Sequence, residues 1–189
     1  LVVIEEGEVQ HVAVLPIGGI HITNDLAIGL RTDLDIAEAV KLQHGGLGKH
    51  SKNGPLSIVI NKTRHEFEAD DIHMIIEARV EELFEYVDKE LKKIQKSRKL
   101  PGGAVLVGGT ANLPGLAEFA KEKLELAARV GHLQPLAGLM DTVQDPSYSS
   151  VVGLMLLDML LGPTANAPEQ GKRSNVTGII DGFIRRLKS

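Results

Sequence analysis

The chain has 189 residues with 43% hydrophobic and 24% charged side chains, near globular averages, which excludes both a membrane bundle and an unfolded polyelectrolyte. With no cysteine it has neither a disulfide scaffold nor a thiolate metal site or nucleophile, and with only 3% aromatics its Leu, Ile, Val and Ala core points to an α/β layered fold rather than a β-sandwich. The net charge of −4 is unevenly placed: residues 1–171 hold 16 Lys and Arg against 24 Asp and Glu, whereas Lys172, Arg173, Arg185, Arg186 and Lys188 face Asp181 alone in the last 18 residues.

Leu1 to Ile4 and Val9 to Ile17 flank the turn Glu5-Glu6-Gly7-Glu8 and predict a β-hairpin. The opening Leu1-Val2-Val3-Ile4 reads as a strand already under way, and the chain is expected to begin inside a longer protein. Gly18-Gly19 ends the hairpin, and apolar spacing from Thr23 to Leu30 predicts a helix with Asn24 and Asp25 near its start. Asp33 or Asp35 caps a second helix to about Gln43, followed by a loop from His44 to Pro55. Leu56 to Ile60 is a short strand with Glu66 to Glu68 as a hairpin partner. Asp70 or Asp71 caps a long helix to about Lys96, whose apolar side is Ile72, Ile75, Ile76, Val80, Leu83, Phe84, Val87, Leu91 and Ile94. Ala104 to Val107, bounded by glycines, is a buried strand. Gly108-Gly109 then turns the chain into a helix that has Pro114 in its first turn and runs to about Ala127. Beyond Arg129-Val130 a Pro/Gly-rich stretch leads to Asp145-Pro146, and Tyr148 to Leu161 is a strongly apolar helix. Residues 162–175 are a linker by composition.

Few of the usual chemical motifs are present. The stretch from His44 to Gly54 has glycines and lysines but lacks the phosphate-loop pattern, since Gly48-Lys49 has Gln43 where a glycine is needed and His50 where Ser or Thr is needed. The seven histidines form no zincin pair, so no metal site is expected, and no GxSxG or Cys/His arrangement marks a nucleophile; no catalytic residue is assigned. Gly108-Gly109 has two readings: a glycine turn that lets backbone approach a nucleotide, or a strand-to-helix turn that needs positive φ.

The order of features is more specific than any one of them. Gly18-Gly19 with His21 and Thr23-Asn24-Asp25, Ala37-Glu38 with Lys41, Ile76-Glu77-Ala78-Arg79 with Glu81-Glu82-Leu83, Val107-Gly108-Gly109 with Leu113-Pro114-Gly115, Gly138-Leu139 with Asp141, and Asp145-Pro146 with Tyr148 and Val152-Gly153-Leu154 stand in sequence. Together they resemble the bacterial cell-division protein family FtsA, a member of the actin, Hsp70 and MreB superfamily, across residues 1–161. The resemblance implies an actin-like, RNase H-like α/β fold and the C-terminal half of such a protein. Residues 1–35 and 101–161 would form subdomain 2A and residues 36–100 the inserted subdomain 2B.

The same resemblance implies an ATP site. Glu38 and Lys41 would meet the ribose and adenine; Gly108, Gly109 and Thr110 would pass close to the nucleotide, and Gly18-Gly19 would sit near the cleft. Thr110 stands where the family more often has a glycine. The family's phosphate loops would lie before Leu1, so this stretch alone is expected to carry the base side of an ATP and Mg²⁺ site and no hydrolytic activity. Implied partners are the C-terminal tail of FtsZ, received by 2B with Arg79 as the candidate contact and the Lys89 to Lys99 end as a weaker one, and further copies in actin-like filaments. The competing classes are another actin-like ATPase, of the pilus-assembly or filament-forming type, and an Hsp70-like ATPase. The acidic body disfavours nucleic acid as a partner.

The tail discriminates between these. At about 100° per residue, Val176, Ile179, Ile180, Phe183, Ile184 and Leu187 fall within an arc of about 140°, and Arg185, Arg186 and Lys188 lie outside it. Residues 176–189 are therefore expected to form an amphipathic helix on an anionic membrane, folding on lipid because Gly178 and Gly182 lower helix propensity. An adaptor that anchors FtsZ filaments to the cytoplasmic face of the membrane at the division site fits such a tail; an Hsp70-like ATPase has no use for it.

Overall fold

A computed structural model describes residues 1–48, 54–60, 62–132 and 145–161. They fall in two units, one of Leu1–Val14 with the stretch from Ser149 onward, the other of Leu15–Tyr148.

In the first unit, β1 (Val2–Glu5) pairs antiparallel with β2 (Glu8–Val12) around a turn at Glu6 and Gly7, both at positive φ. The second strand is shorter than the apolar spacing predicted, ending at Val12 rather than Ile17. Alternation buries Val3 and leaves Val2 and Ile4 exposed. Helix α5 (Ser149–Leu161) begins one residue after the expected Tyr148 and buries Val152, while Val151, Leu154, Met155, Leu157 and Met159 are exposed.

The second unit opens with α1 (Gly19–Gly29), four residues earlier than its apolar spacing suggested. The reason lies at Gly18, whose N–H donates to Nδ1 of His21 at 3.1 Å while its carbonyl accepts from the His21 amide at 2.9 Å. His21 thus serves the helix start, and Asn24 and Asp25 lie inside the helix. Helix α2 (Leu34–His44) begins after Asp33, as expected. The hairpin of β3 (Pro55–Ile60) and β4 (Thr63–Glu68) runs directly into α3 (Ala69–Lys93), so Glu68 is the N-cap, and Asp70 and Asp71 occupy the first turn, where negative charge suits the helix dipole. One stripe of α3 is buried, comprising Ile72, His73, Ile76, Val80, Phe84 and Leu91.

The strand β5 (Ala104–Leu106) pairs in parallel with β6 (Ala128–Val130), and α4 (Leu116–Leu124) makes the crossover that parallel strands require. β6 was not read from the sequence, where Ala128-Arg129-Val130 is a three-residue stretch without a strand pattern of its own. α4 also starts later than expected. Gly115 holds φ +82, and a Cβ there would lie 2.3 Å from the Leu47 carbonyl oxygen, so the chain breaks at Gly115 and Pro114 precedes the helix. Lys123 on α4 reaches Glu81 on α3 at 2.5 Å and covers the Phe119 ring, which itself meets Phe84 at a centroid distance of 6.3 Å.

Candidate functional site

Three separate stretches of the second unit meet at a cavity of about 450 Å³, within the usual range for small-molecule sites. The start of α1 supplies Gly19, Ile20 and Ile22, α2 supplies Glu38, Lys41 and Leu42, and the loop after β5 supplies Gly109, Thr110, Asn112, Leu113 and Pro114. Helical spacing explains the α2 pair: Glu38 and Lys41 are three apart and share a face. Five of the seven residues expected around a nucleotide therefore line one space.

Gly18 and Gly108 do not line it. Gly18 is the N-cap of α1. Gly108 sits at φ +97, a conformation that glycine alone adopts at little cost, and its N–H donates to the Pro146 carbonyl at 2.9 Å. Its demonstrable role is to turn the chain. Asp145 completes this clamp, accepting from Nδ2 of Asn112 and from the Ser147 amide, both at 2.8 Å, and these donors hold its carboxyl below the ordinary range. The Asp145-Pro146 motif thus braces the loop that lines the cavity. Gly109 opens a short 3₁₀ turn to Asn112, so no long helix starts at the glycines.

The polar centre of the cavity wall is compact. The Lys41 ammonium donates to Glu38 Oε2 at 2.6 Å, to Thr23 Oγ1 at 2.8 Å and to the Gly19 carbonyl at 3.3 Å. Three protons thus have three protein partners, so what Lys41 offers a ligand without breaking a bond is its apolar stem. Thr23 donates its hydroxyl proton to the same Glu38 oxygen. Burial pushes the Glu38 carboxyl up, but hydrogen bonds from Lys41 and Thr23, together with the Lys41 charge, outweigh it and hold the group below the ordinary glutamate range. Glu38 is an ionised acceptor with one oxygen occupied. Apolar Ile20, Ile22, Leu42, Leu113 and Pro114 around one open acceptor suit a flat ring carrying a hydroxylated sugar, so the residues present fit the nucleoside part of ATP. In the sequence Thr23 stands in the family order beside Asn24 and Asp25 and near a helix start, and nothing there sets it against Glu38.

Arg79 lies on α3 and does not line this cavity. Its Nε and Nη2 donate to the two oxygens of Asp25 on α1, the latter at 2.9 Å, and Nη1 donates to Glu82 at 2.5 Å. The guanidinium is held by both carboxylates and is stabilised further in its charged form, first by the Asp25 hydrogen bond. Of the α3 lysines, Lys89, Lys92 and Lys93 pair with Glu85, Asp88 and Glu90 along the helix. The expected membrane residues Val176, Ile179, Ile180, Phe183, Ile184, Arg185, Arg186, Leu187 and Lys188, and the linker 162–175, lie outside the described residues, as do Gly138, Leu139 and Asp141.

A parallel strand pair with a helical crossover, a braced glycine turn and an α2 pair facing it across a cavity are consistent with an actin-like fold. Solved structures agree on the fold. The ADP-bound MreB5 of Spiroplasma citri superposes with a TM-score of 0.61 at 13% identity, covering 82% of this chain and 48% of that one. The MamK double helical filament gives 0.54 at 18% identity, covering 72% and 42%. The model of the family described as cell division protein FtsA matches residues 1–153, and the chain belongs to that family. Proteins of that name from Neisseria meningitidis and Pseudomonas aeruginosa are each 34% identical, over 96% and 82% of this chain and 45% and 38% of their own lengths. That of Bacillus subtilis is 36% identical over 82% of this chain and 35% of its own. The chain thus spans less than half the length of these relatives.

Proposed function

We propose that these residues form the nucleoside side of an ATP site in a cell-division protein that binds ATP with Mg²⁺, polymerises like actin and tethers FtsZ filaments to the cytoplasmic face of the membrane at the division site. The observation that carries the nucleotide reading is the meeting of Gly19, Glu38, Lys41, Gly109 and Thr110 at one cavity with apolar walls. When bound, ATP and its metal supply the charge and the state-dependence of assembly. The residues here bind and orient: Glu38 accepts from a sugar hydroxyl, and the Lys41 stem with Ile20, Leu42 and Leu113 shields the base from water. Residues 1–35 with 101–161 are assigned to subdomain 2A and 36–100 to 2B. Photolabelling the intact protein with 8-azido-ATP and mapping the peptides tests the site. Label is expected within residues 19–42 or 109–114; label confined to other segments would overturn the assignment.

The FtsZ tail is proposed to dock beside α3, where Arg79 is the contact. The tail's carboxylate would replace Glu82 on Nη1 while Asp25 keeps its two bonds, an exchange supported by the surface position of the Glu82 arm, whose side chain is 43% exposed. In fluorescence anisotropy with a tail peptide, Arg79→Glu is expected to weaken binding by more than tenfold and Lys121→Glu, an exposed site on α4, to leave it unchanged. Equal effects would remove Arg79 from the interface. Self-association is supported by the exposed apolar side chains of α5.

A further inference from the structure

We propose that Thr23 is the positioning residue of the cavity: its buried hydroxyl fixes the Glu38 carboxylate and the Lys41 ammonium so that a single carboxylate oxygen stays open to a ligand. The role as a ligand site rests on the nucleoside reading above; the hold on Glu38 does not.

The geometry is unusual for a helix residue. Thr23 is shut away from solvent at 2% exposed, and a buried hydroxyl must find partners or lose stability. A helical threonine normally returns its proton to the carbonyl four residues back. Here that carbonyl, of Gly19, is 3.4 Å away, whereas the Glu38 carboxylate is in close contact, so the proton goes to Glu38. The hydroxyl oxygen meanwhile accepts from Lys41 at 2.8 Å. One small group therefore both donates to the anion and accepts from the cation.

The consequence is a division of labour between the two oxygens of Glu38. Oε2 receives both Thr23 and Lys41, whereas Oε1 has no hydrogen-bond partner among the described residues. Without the hydroxyl, Glu38 and Lys41 still attract one another, but the carboxylate can swing about its own side-chain torsions and offer either oxygen to Lys41. A ligand would then have to order it on binding, which lowers affinity. Thr23 also ties α1 to α2 at the cavity, since Glu38 and Lys41 both lie on α2. The Lys41 bond to the Gly19 carbonyl holds the start of the same helix.

Two readouts on the 189-residue chain separate the levels. Thr23→Val keeps the shape and removes the hydroxyl, while Thr23→Ser keeps the hydroxyl. Followed by NMR, Glu38 is expected to titrate at higher pH in Thr23→Val than in the wild type, with Thr23→Ser restoring the wild-type curve; a Glu38 titration unmoved by valine overturns the proposal. Adenosine, followed at the amides of Gly19, Gly109 and Thr110, is expected to bind the wild type and Thr23→Ser alike and Thr23→Val roughly tenfold more weakly. Equal binding by wild type and Thr23→Val overturns the positioning role. If adenosine shifts no amide in the wild type while the Glu38 curve still responds to valine, the nucleoside reading fails and the hold of Thr23 on Glu38 stands. Should valine disturb the fold, the wild-type hydroxyl proton itself decides: held by Glu38, it exchanges slowly enough to be observed, and rapid averaging with water overturns the proposal.

Discussion

Gly19 and Thr110 are placed by a steric bargain that neither residue reveals alone. A Cβ on Gly19 would stand 2.6 Å from Thr110 Oγ1, closer than real contacts allow, so the helix start and the loop approach each other only because one is glycine. Gly19→Ala should therefore force Thr110 off its rotamer, costing about 1 kcal/mol, and Thr110→Gly in the same chain should recover most of it. Urea midpoints of the two single variants and the double measure this coupling; additive losses would show that the contact is not what constrains them. Glu38 carries a second prediction at this scale. Its pKa in the folded chain lies below the unfolded one, so its ionised form stabilises the fold. That contribution is fully present above the ordinary glutamate value of about 4.3 and is lost as pH falls through the lower folded value. Glu38→Gln should accordingly shrink the fall in urea midpoint between pH 7 and acid, whereas an unchanged acid limb would mean that Glu38 is no better held folded than unfolded. Of the cavity lining, Glu38, Lys41, Gly19 and Gly109 were legible through family order, whereas Gly18 and Gly108, expected on the same ground, lie outside it. Thr23 stands in the same family order, but its hold on Glu38 was not legible, because it comes from α2 folding back 15 residues later.

Elements that carry a long periodic signal were the ones read correctly from sequence. Of the nine apolar residues expected on the inner side of α3, Ile72, Ile76, Val80, Phe84 and Leu91 are buried, and Ile75, Leu83, Val87 and Ile94 are half-buried at its margins. Ile76→Ala should cost about 2 to 5 kcal/mol, since the void opens among packed neighbours, whereas Met74→Ala, on a side chain 64% exposed, should change stability little. Chemical denaturation of both variants checks the direction; comparable losses would place the buried stripe elsewhere. Short elements depended on tertiary partners instead. The strand β6 exists because Ala128, Arg129 and Val130 pair with Ala104, Val105 and Leu106, an interaction invisible in three residues. The start of α4 depends on the Leu47 backbone, whose carbonyl crowds Gly115 and whose N–H donates to the Pro114 carbonyl at 2.9 Å. Even the start of α1, a local feature, was misread, because a histidine rather than Asn or Asp satisfies the first turn.

At the scale of the whole molecule, the two ends of the proposed function sit in different parts of the chain: the nucleoside cavity belongs to the unit of Leu15–Tyr148, and the proposed membrane contact belongs to the last fourteen residues. Among the described residues no helix is long and apolar enough to cross a membrane. Residues 176–189 lie outside the described residues, and their expectation rests on pattern: six apolar side chains within an arc of about 140°, with Arg185, Arg186 and Lys188 on the other side and Lys172 and Arg173 upstream. Each basic residue near an anionic surface contributes about 1 kcal/mol, and an amphipathic helix over these residues would add burial of Phe183 and its apolar neighbours in the headgroup region. The chain should therefore sediment with phosphatidylglycerol-containing vesicles and much less with neutral ones, and salt should weaken the binding as it screens the charges. Phe183→Glu, which places a charge in the middle of the apolar arc, and truncation after Asn175 should both abolish it. If either variant still sediments with anionic vesicles as the intact chain does, the contact lies elsewhere.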